Sequence, residues 1–287
     1  FKHLPFTQRL VRGAFYWALE GRVVGFALHP RLMKMVQKIA LRHLRKQVAR
    51  PSLRKTLTPD YTIGCKRVLI SNDYYPALSR SNVEVVTDKV LRIEADGVIT
   101  ADGIKHPADC LIFGTGFQAT DPLPRDCIIG RDGVDLMDAW RDGAHAYKGS
   151  TVPGYPNLFL IVGPNTGLGH NSMILMIEAQ VTYILDALKH MQRQRIASVD
   201  VKPAVELAYN QQLQAKLKRT IWNTGGCQSW YLDPRTGKNT TLWPGSTWRF
   251  KQVTRHFALK DYIAKPMPAP PPRAVPAPHS TAEGSLS

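Results

Sequence analysis

The sequence predicts an α/β protein, and three observations support that class. Two apolar runs, 108–113 and 157–163, each end in glycine and have the length and composition of buried strands. Alternating runs between residues 82 and 106 contain two Asp-Gly pairs, which indicate an antiparallel meander. Apolar residues recur every three or four positions over 31–50 and 171–194, as amphipathic helices require. These patterns exclude collagen, coiled coil and a wholly disordered chain.

The net charge of +16 is concentrated near the start of the sequence. Residues 1–67 hold 15 Lys and Arg side chains against two acidic ones. Much of this charge lies on one face of helix 31–50, which follows a shorter helical stretch over 10–28. Such a face could contact nucleic acid, an anionic membrane surface or the 2′-phosphate of a dinucleotide, or it could simply be solvated. These alternatives stay open, although residues 31–60 offer no aromatic side chain on which bases could stack.

Several kinds of site and location are disfavoured by the sequence. Apolar runs such as 158–162 are far shorter than the roughly 20 residues of a membrane-spanning helix, so no integral membrane span is expected. The first residues do not resemble a signal peptide, which makes a cytoplasmic location the default expectation. The four cysteines show neither zinc-ligand nor C-x-x-C spacing. We therefore expect reduced, partly buried thiols and no metal site.

Two glycine-containing loops follow the predicted strands. The first, GTGFQA at 114–119, formally matches G-x-G-x-x-A, but the prolines after it prevent the helix that a dinucleotide fingerprint must open. The second, GPNTGLGHNS at 163–172, leads directly into helix 171–194, with Asn171 or Ser172 as the N-cap. Free amides and the positive end of the helix dipole favour an anion or an electron-rich ring edge there. The alternative is a tight connection that needs glycine for its geometry alone.

Further candidates are polar side chains near these loops. Lys66 and Arg67 precede the apolar run 68–70, and adjacent cations on an extended segment point to opposite sides, where they could serve two anionic partners. His170 could transfer protons, although a single histidine is more often structural. The sequence contains no Ser-His-Asp pattern, Walker loop or H-E-x-x-H motif. Any chemistry must therefore come from a bound cofactor.

Several blocks of the sequence, in order, resemble the carboxyl-terminal half of class B flavin-dependent monooxygenases. They are YTIGCKRVLISNDYYPAL, NVEVV, the run ending in FGTGF, GYPNLFLIVGPNTGLGHNSMILMIEAQ, GGCQSWYLD and NTTLWPGSTWRF. Within that group the sequence is most similar to Baeyer–Villiger monooxygenases of the hydroxyacetophenone type. The resemblance implies an enzyme in which NADPH reduces FAD and one atom of O2 is transferred to a ketone or to a soft heteroatom, as in a sulfide.

The resemblance also implies roles for individual residues. By position, Arg67 matches the family's active-site arginine, beside the flavin and the nicotinamide. Lys66 matches the cation near the 2′-phosphate of NADP, and Trp230 matches a tryptophan on the mobile loop that covers the cofactor. Five further residues match segments beside FAD: Thr115, Gly116, Phe117, Pro164 and Asn165.

The implied fold is an incomplete two-dinucleotide-binding flavoprotein fold with a β-meander and a helical carboxyl-terminal part. Its segments are the end of the NADP-binding domain with a basic linker (1–60), return strands and meander (61–120), a distal FAD-binding segment (121–200), a helix with Trp-rich cofactor-covering loops (201–265) and a disordered Pro-rich tail (266–287). The family's two G-x-G-x-x-G motifs and its F-x-G-x-x-x-H motif are missing from this sequence. We therefore expect the distal half of a longer enzyme, without its amino-terminal half and without monooxygenase activity of its own. The rival hypothesis is a basic module that binds nucleic acid or anionic membrane through residues 31–67.

Overall fold

Helices and two small antiparallel sheets form the α/β architecture of residues 4–116 and 123–268, which the computed structural model describes. The helices are α1 (Pro5–Glu20), α2 (Met33–Gln47), α3 (Pro51–Thr56), α4 (Tyr74–Leu78), α5 (Leu136–Ala139), α6 (Met173–Arg193), α7 (Pro203–Leu217), α8 (Ile221–Thr224) and α9 (Thr247–Val253). A π-helical turn, Val24–Leu28, and two 3-10 turns, Pro30–Leu32 and Leu259–Asp261, complete the helical elements of these ranges. The strands are β1 (Val90–Glu94), β2 (Gly97–Thr100), β3 (Lys105–Pro107), β4 (Ile196–Val201) and β5 (Tyr262–Pro266). The predicted α/β class is confirmed.

The first sheet is the predicted meander, in the order β1-β2-β3. Glu94 lies opposite Gly97, and Val98 lies opposite His106. The turn into β3 places Gly103 at φ 83°, a conformation that side chains rarely adopt. The Asp-Gly signal therefore located this sheet correctly, but its strands begin later than expected, because the alternating run 82–86 is not a strand.

The predicted buried strands 108–113 and 157–163 are wrong as strands, as is the run 68–70. None of them pairs with another strand in the described part of the chain. The side chains of the runs 68–70 and 108–113 are largely exposed, with Ile70 at 86% and Ile112 at 94%, whereas Leu158, Phe159 and Leu160 are half-buried against the core. Strand composition alone does not make a strand, since each backbone N–H and C=O needs a partner across a sheet.

Helix α6 is the element around which the described core is organised. One core cluster around it contains Met176, Trp222 and Phe250, and a second joins its Tyr183 to β4 and to Phe257. Strand β4 pairs with β5 and seals the second cluster. Sequence analysis missed this sheet, although IASVDV alternates as a half-buried strand should.

The apolar side of helix 31–50 is buried only in part. The structure buries Met33 and Leu44, whereas Met35 and Ile39 are 67% and 64% exposed. The helix itself is confirmed as α2, and Pro51 begins α3 after α2 has ended.

The remaining expectations concern spans and the tail. In the ranges that the structure describes, no helix has the length and apolar character needed to cross a membrane. Pro266, assigned above to the disordered tail, is the last residue of β5. The rest of the predicted tail lies, from residue 269 onward, outside the described residues.

Candidate functional site

The glycine loop 163–172 is anchored by the polypeptide that precedes α9. Asn165, at φ 58°, donates from Nδ2 to the carbonyl oxygens of Asn239 at 2.7 Å and Leu242 at 3.1 Å. Pro164 and Asn165 are both buried. The observed role of these two predicted cofactor-binding residues is therefore to hold the loop in its shape.

Two glycines of the loop are needed for close packing. A Cβ atom at Gly167 would lie 2.8 Å from the carbonyl oxygen of Thr241, and one at Gly169 would lie 2.9 Å from the indole of Trp222. Either contact is too short for a methyl group. At these two positions the need for close packing is enough to explain why the residue is glycine.

The start of α6 offers fewer free amides than the sequence suggested. Asn171 Oδ1 accepts from the amide of Ser172 at 2.9 Å, and Ser172 Oγ accepts from the amide of Ile174 at 3.3 Å. The amide of Leu175 donates to the carbonyl of Ser172 at 3.2 Å. The predicted cap at Ser172 is confirmed, and the amides of Ser172, Ile174 and Leu175 are already paired, which reduces the number of free amides at this end of the helix. The dipole of the helix remains as an attraction for negative charge.

Arg67 meets this loop directly. Its Nη1 donates to the carbonyl oxygen of Leu168 at 3.2 Å. The same guanidinium lies beside Tyr231, where burial raises the pKa of the phenol and the hydrogen-bonded charge of Arg67 opposes the increase. The cation at position 67 and the loop 163–172 thus share one place in the molecule, although 101 residues separate Arg67 from Leu168.

Lys66 and Arg67 line one groove of about 210 Å³. The Nζ atom of Lys66 lies 4.9 Å from the ring centroid of Tyr61, a cation–π contact. The segment is not a strand. Lys66 reaches Tyr61 in this groove, whereas the guanidinium of Arg67 contacts Leu168, which is not among the residues that line it, so the two charged groups have different neighbours. An apolar groove of about 470 Å³, lined by Val68, Ile70 and Gly169 among others, lies next along the chain.

The other predicted site residues are only partly brought to this place. Trp230 is 52% exposed, and its ring centroid lies 4.5 Å from that of Tyr231, the neighbour of Arg67. Thr115 and Gly116 are exposed and do not line the groove of Lys66 and Arg67. Phe117 lies outside the described residues.

The expectation of four reduced thiols is wrong for two of the cysteines. Cys65 and Cys227 form a disulfide with their Cα atoms 6.1 Å apart, while Cys110 and Cys127 are free and exposed. Spacing along the chain gave no signal, because 162 positions separate the bonded pair. The bond joins the residue before Lys66 to the loop that carries Trp230.

Sequence analysis also missed Glu20, a buried carboxylate beside the glycine loop. Its Oε2 accepts from Asn171 Nδ2 at 2.7 Å and from Thr247 Oγ1 at 2.8 Å. Oε1 accepts from the amide of Trp248 at 3.4 Å. A signal was present, since Glu20 is the one acidic residue among the first 59.

His170 lies against this carboxylate, with Nε2 3.8 Å from Glu20 Oε2. Burial lowers the pKa of His170, and the negative charge of Glu20 opposes that decrease. Neither ring nitrogen has a hydrogen-bond partner in the described part of the protein. Burial thus favours the neutral form of His170. No three His, Cys, Asp or Glu side chains in the described ranges are arranged to hold a metal ion.

Comparison with known proteins identifies relatives at high identity. No protein-family model matches the sequence. A Baeyer–Villiger monooxygenase of Pseudomonas aeruginosa is 53% identical over 262 residues, which are 91% of this chain and 50% of the relative. A Baeyer–Villiger monooxygenase of Streptomyces coelicolor is 43% identical over 268 residues, 93% of this chain and 51% of that relative. An Aspergillus niger protein named FAD-binding monooxygenase ktnD is 39% identical over 75% of this chain and 36% of its own length.

Solved structures agree with this assignment. Cyclohexanone monooxygenase from Rhodococcus sp. Phi1 bound to NADP+ is 25% identical, with a TM-score of 0.73 over 84% of this chain and 46% of that chain. An oxidized steroid monooxygenase bound to NADP, 23% identical, shares the fold with a TM-score of 0.74 over 85% of this chain and 47% of its own. These matches give no support to a nucleic-acid module at 31–67. Over nine-tenths of its own length the chain is similar to Baeyer–Villiger monooxygenases, and it spans about half the length of the relatives that it matches.

Proposed function

We propose that this chain is part of an NADPH- and FAD-dependent monooxygenase that transfers one atom of O2 to a ketone or to a soft heteroatom such as sulfur. The relatives that cover nine-tenths of the chain are named for the Baeyer–Villiger reaction. The observation that carries the proposal is the contact of Arg67 with the carbonyl of Leu168. It joins a permanent cation to the glycine loop in front of α6, which is where a reaction that develops negative charge needs one.

The residues around Arg67 fit a flavin. A ring with apolar faces and a polar edge needs apolar lining next to a few well-placed polar groups. The apolar groove at Val68, Ile70 and Gly169 and the cationic groove at Lys66 and Arg67 together supply this combination. Bound FAD would supply the redox chemistry, taking a hydride from NADPH and passing electrons to O2.

The chain's own residues then have separate tasks in this proposal. Arg67 holds negative charge near the ring. Lys66 binds the 2′-phosphate of NADP, and Trp230 covers the cofactor and excludes water. Pro164 and Asn165 shape the loop beneath the ring, and Thr115, Gly116 and Phe117 contact FAD from the segment before residue 123.

The five segments set out above, with bounds at 60, 120, 200 and 265, are the organisation that we propose for the chain. The half of the family's length that these residues do not match would supply both dinucleotide-binding motifs. This polypeptide by itself is therefore expected to retain little FAD and to leave NADPH unoxidised.

The test is reconstitution from two polypeptides. This chain is produced together with the unmatched half of the Pseudomonas aeruginosa relative, to whose matched half it is 53% identical. FAD retention is read from flavin absorbance, and oxygenation of a ketone and of a sulfide is followed by product analysis alongside NADPH oxidation. An assembled, FAD-loaded pair that forms neither product would overturn the proposal.

Substitutions assign the roles. We expect Arg67→Ala to lower product formation by roughly 100-fold or more while FAD is retained, because a charge-stabilising group is lost. Lys66→Ala should raise the KM for NADPH and leave flavin content unchanged. Lys89→Ala, at another exposed lysine of the same chain, is the matched control and should match the unsubstituted pair. Full activity in Arg67→Ala would remove this residue from the site.

A further inference from the structure

The disulfide Cys65–Cys227 ties together two segments that carry the proposed cofactor-contacting residues. Cys65 directly precedes Lys66 and Arg67, and Cys227 lies three positions before Trp230. Without this bond the two segments, 162 positions apart, would be held by non-covalent contacts alone.

Those non-covalent contacts are few. The amide of Thr62 donates to the carbonyl of Gly225 at 2.9 Å, and the charge of Arg67 acts on the phenol of Tyr231. Gly225 packs so closely on the disulfide that a Cβ there would lie 2.6 Å from Cys65 Cβ. The bond is therefore a principal restraint on the loop 225–231.

The two sulfur atoms differ in accessibility. Cys65 is completely buried, whereas Cys227 is partly exposed in the same loop as Trp230. A thiolate from solution can therefore reach the sulfur of Cys227 and displace Cys65 as the leaving thiolate. The cations at 66 and 67 follow Cys65 in the chain and favour its negative form.

We propose that Cys65–Cys227 is a redox-modification site, opened and closed by low-molecular-weight thiols, that controls the mobility of the loop carrying Trp230. In the opening step, one thiolate of a dithiol attacks Cys227 Sγ, the Cys65–Cys227 bond breaks, and a mixed disulfide forms. The second thiolate of the reagent then displaces Cys227, so that the dithiol becomes a cyclic disulfide and the protein gains two thiols. Closing is the reverse exchange with an oxidised small-molecule disulfide. Disulfides in reducing compartments are commonly of this transient, redox-sensing kind.

Reduction should loosen the loop without unfolding the protein. Tyr231 is 1% exposed and remains packed in the core cluster with Trp222 and Phe250. The residues between the bond and Tyr231 have no comparable anchor, since Cys227 and Trp230 are both at least partly exposed. Local opening is therefore expected at 225–230, with the core unchanged.

The first experiment counts thiols and maps the bond in the purified chain. After purification in air without any thiol or disulfide reagent and denaturation without reductant, we expect two titratable thiols, those of Cys110 and Cys127. A non-reduced peptide digest should contain a fragment that joins Cys65 to Cys227. Four titratable thiols after this purification would overturn the proposal.

The second experiment measures hydrogen exchange with and without a dithiol. Amides over 225–230 should exchange about tenfold or more faster after reduction, while those of α6 stay protected. Cys127→Ser, at a free exposed cysteine, is the matched control and should respond to the dithiol as the unsubstituted chain does. Cys227→Ser should exchange fast from the start and not respond further.

The unsubstituted chain keeps the test valid even if Cys227→Ser folds poorly. If hydrogen exchange of the unsubstituted chain over 225–230 is the same in both redox states, the disulfide does not regulate the mobility of this loop and the proposal is wrong. Neither experiment uses flavin or NADPH, so failure here is separable from failure of the proposed monooxygenase function.

Discussion

Glu20 shows how one side chain can join distant parts of the chain. It stands at the end of α1 and accepts hydrogen bonds from Asn171, before α6, and from Thr247 and the Trp248 amide, in α9. Hydrogen bonds to a charged acceptor contribute more than neutral ones, and a buried carboxylate that loses its donors is costly. Glu20 is unusual because it is an acidic residue in a basic region of the sequence. Its three hydrogen-bond partners lie 151 to 228 positions away, and the composition does not identify them.

Replacing this carboxylate should destabilise the fold. We expect Glu20→Gln to lower the free energy of unfolding by about 1–3 kcal/mol, because the amide keeps the shape but loses the charge and one acceptor. Glu178→Gln is the control, since its side chain is 58% exposed and its one ion pair, with Arg12, is 3.9 Å long. That change should cost less than about 0.5 kcal/mol. Urea unfolding of both variants measures the difference, and equal effects would contradict the role given to Glu20.

The buried His170 and the half-buried His145 should give the stability opposite dependences on pH. Burial lowers the pKa of His170 below its ordinary 6.5, so the unfolded chain takes up the proton first and stability falls as the pH drops below that value. The hydrogen bond between His145 Nδ1 and the accepting carboxylate of Glu206 raises the pKa of His145. The stability that His145 contributes is therefore complete below its ordinary pKa and is lost as the pH rises through its folded value.

Unfolding free energies measured across this pH range test both signs. His170→Asn should flatten the acid side of the profile, and His145→Asn should lose more stability at acidic pH than at alkaline pH. His256→Asn, at an exposed histidine, is the control and should leave the shape of the profile unchanged. The same profile in all three variants would contradict the assignment.

At the scale of elements, helices were predicted better than strands. Helix α6 and its cap at Ser172 follow from residues within a few positions of each other, as does the turn at Gly103. The runs 68–70 and 108–113 have the composition of strands but lack a paired neighbour in the described residues. A strand forms only when a second segment pairs with its backbone, and the residue pattern of one segment does not show whether such a partner is present.

The glycine loop offers a test of packing at this scale. Gly169→Ala should destabilise the protein by about 1–3 kcal/mol, because the new methyl group meets the Trp222 indole at 2.9 Å. Gly13→Ala is the matched control in α1, where no other group lies within 4 Å of the new Cβ. It should stabilise the helix by up to about 1 kcal/mol. Thermal unfolding of the two variants should shift in opposite directions, and a neutral Gly169→Ala would show that the loop can move away.

At the scale of the whole molecule, apolar surface is the dominant feature. Leu69, Ile70 and Ile112 are each more than 80% exposed, and Phe15 and Trp17 of α1 are more than 60% exposed. Exposed apolar patches of this kind mark contact surfaces or sites of aggregation. The chain spans about half the length of its relatives, and these runs are where we expect the unmatched half of the family fold to pack.

The same surface predicts the behaviour of the isolated chain. The double variant Ile70→Lys, Ile112→Lys should bind less of the dye ANS and aggregate less, with no loss of unfolding free energy, because neither side chain is packed. Leu136→Lys, at a side chain that is 1% exposed, is the contrasting control and should unfold the protein. Light scattering, dye binding and urea unfolding report the three quantities. A large loss of stability in the double variant would show that the two isoleucines are buried in solution.

The sequence by itself determined the α/β class, helices α2, α6 and α7 and the meander, because these depend on spacing over a few positions, whereas the residues assigned to the Arg67 site rest on the resemblance. Only the tertiary structure decided that Arg67 touches the glycine loop, that Cys65 bonds Cys227, that Glu20 joins α1 to α6 and α9, and that the apolar runs at 70 and 112 are exposed. The physical reason is the same in each case. Contacts between segments more than a hundred residues apart depend on how the whole chain packs. Such contacts must offset the entropy lost when a long loop closes, and the local pattern of residues does not show which contacts do so.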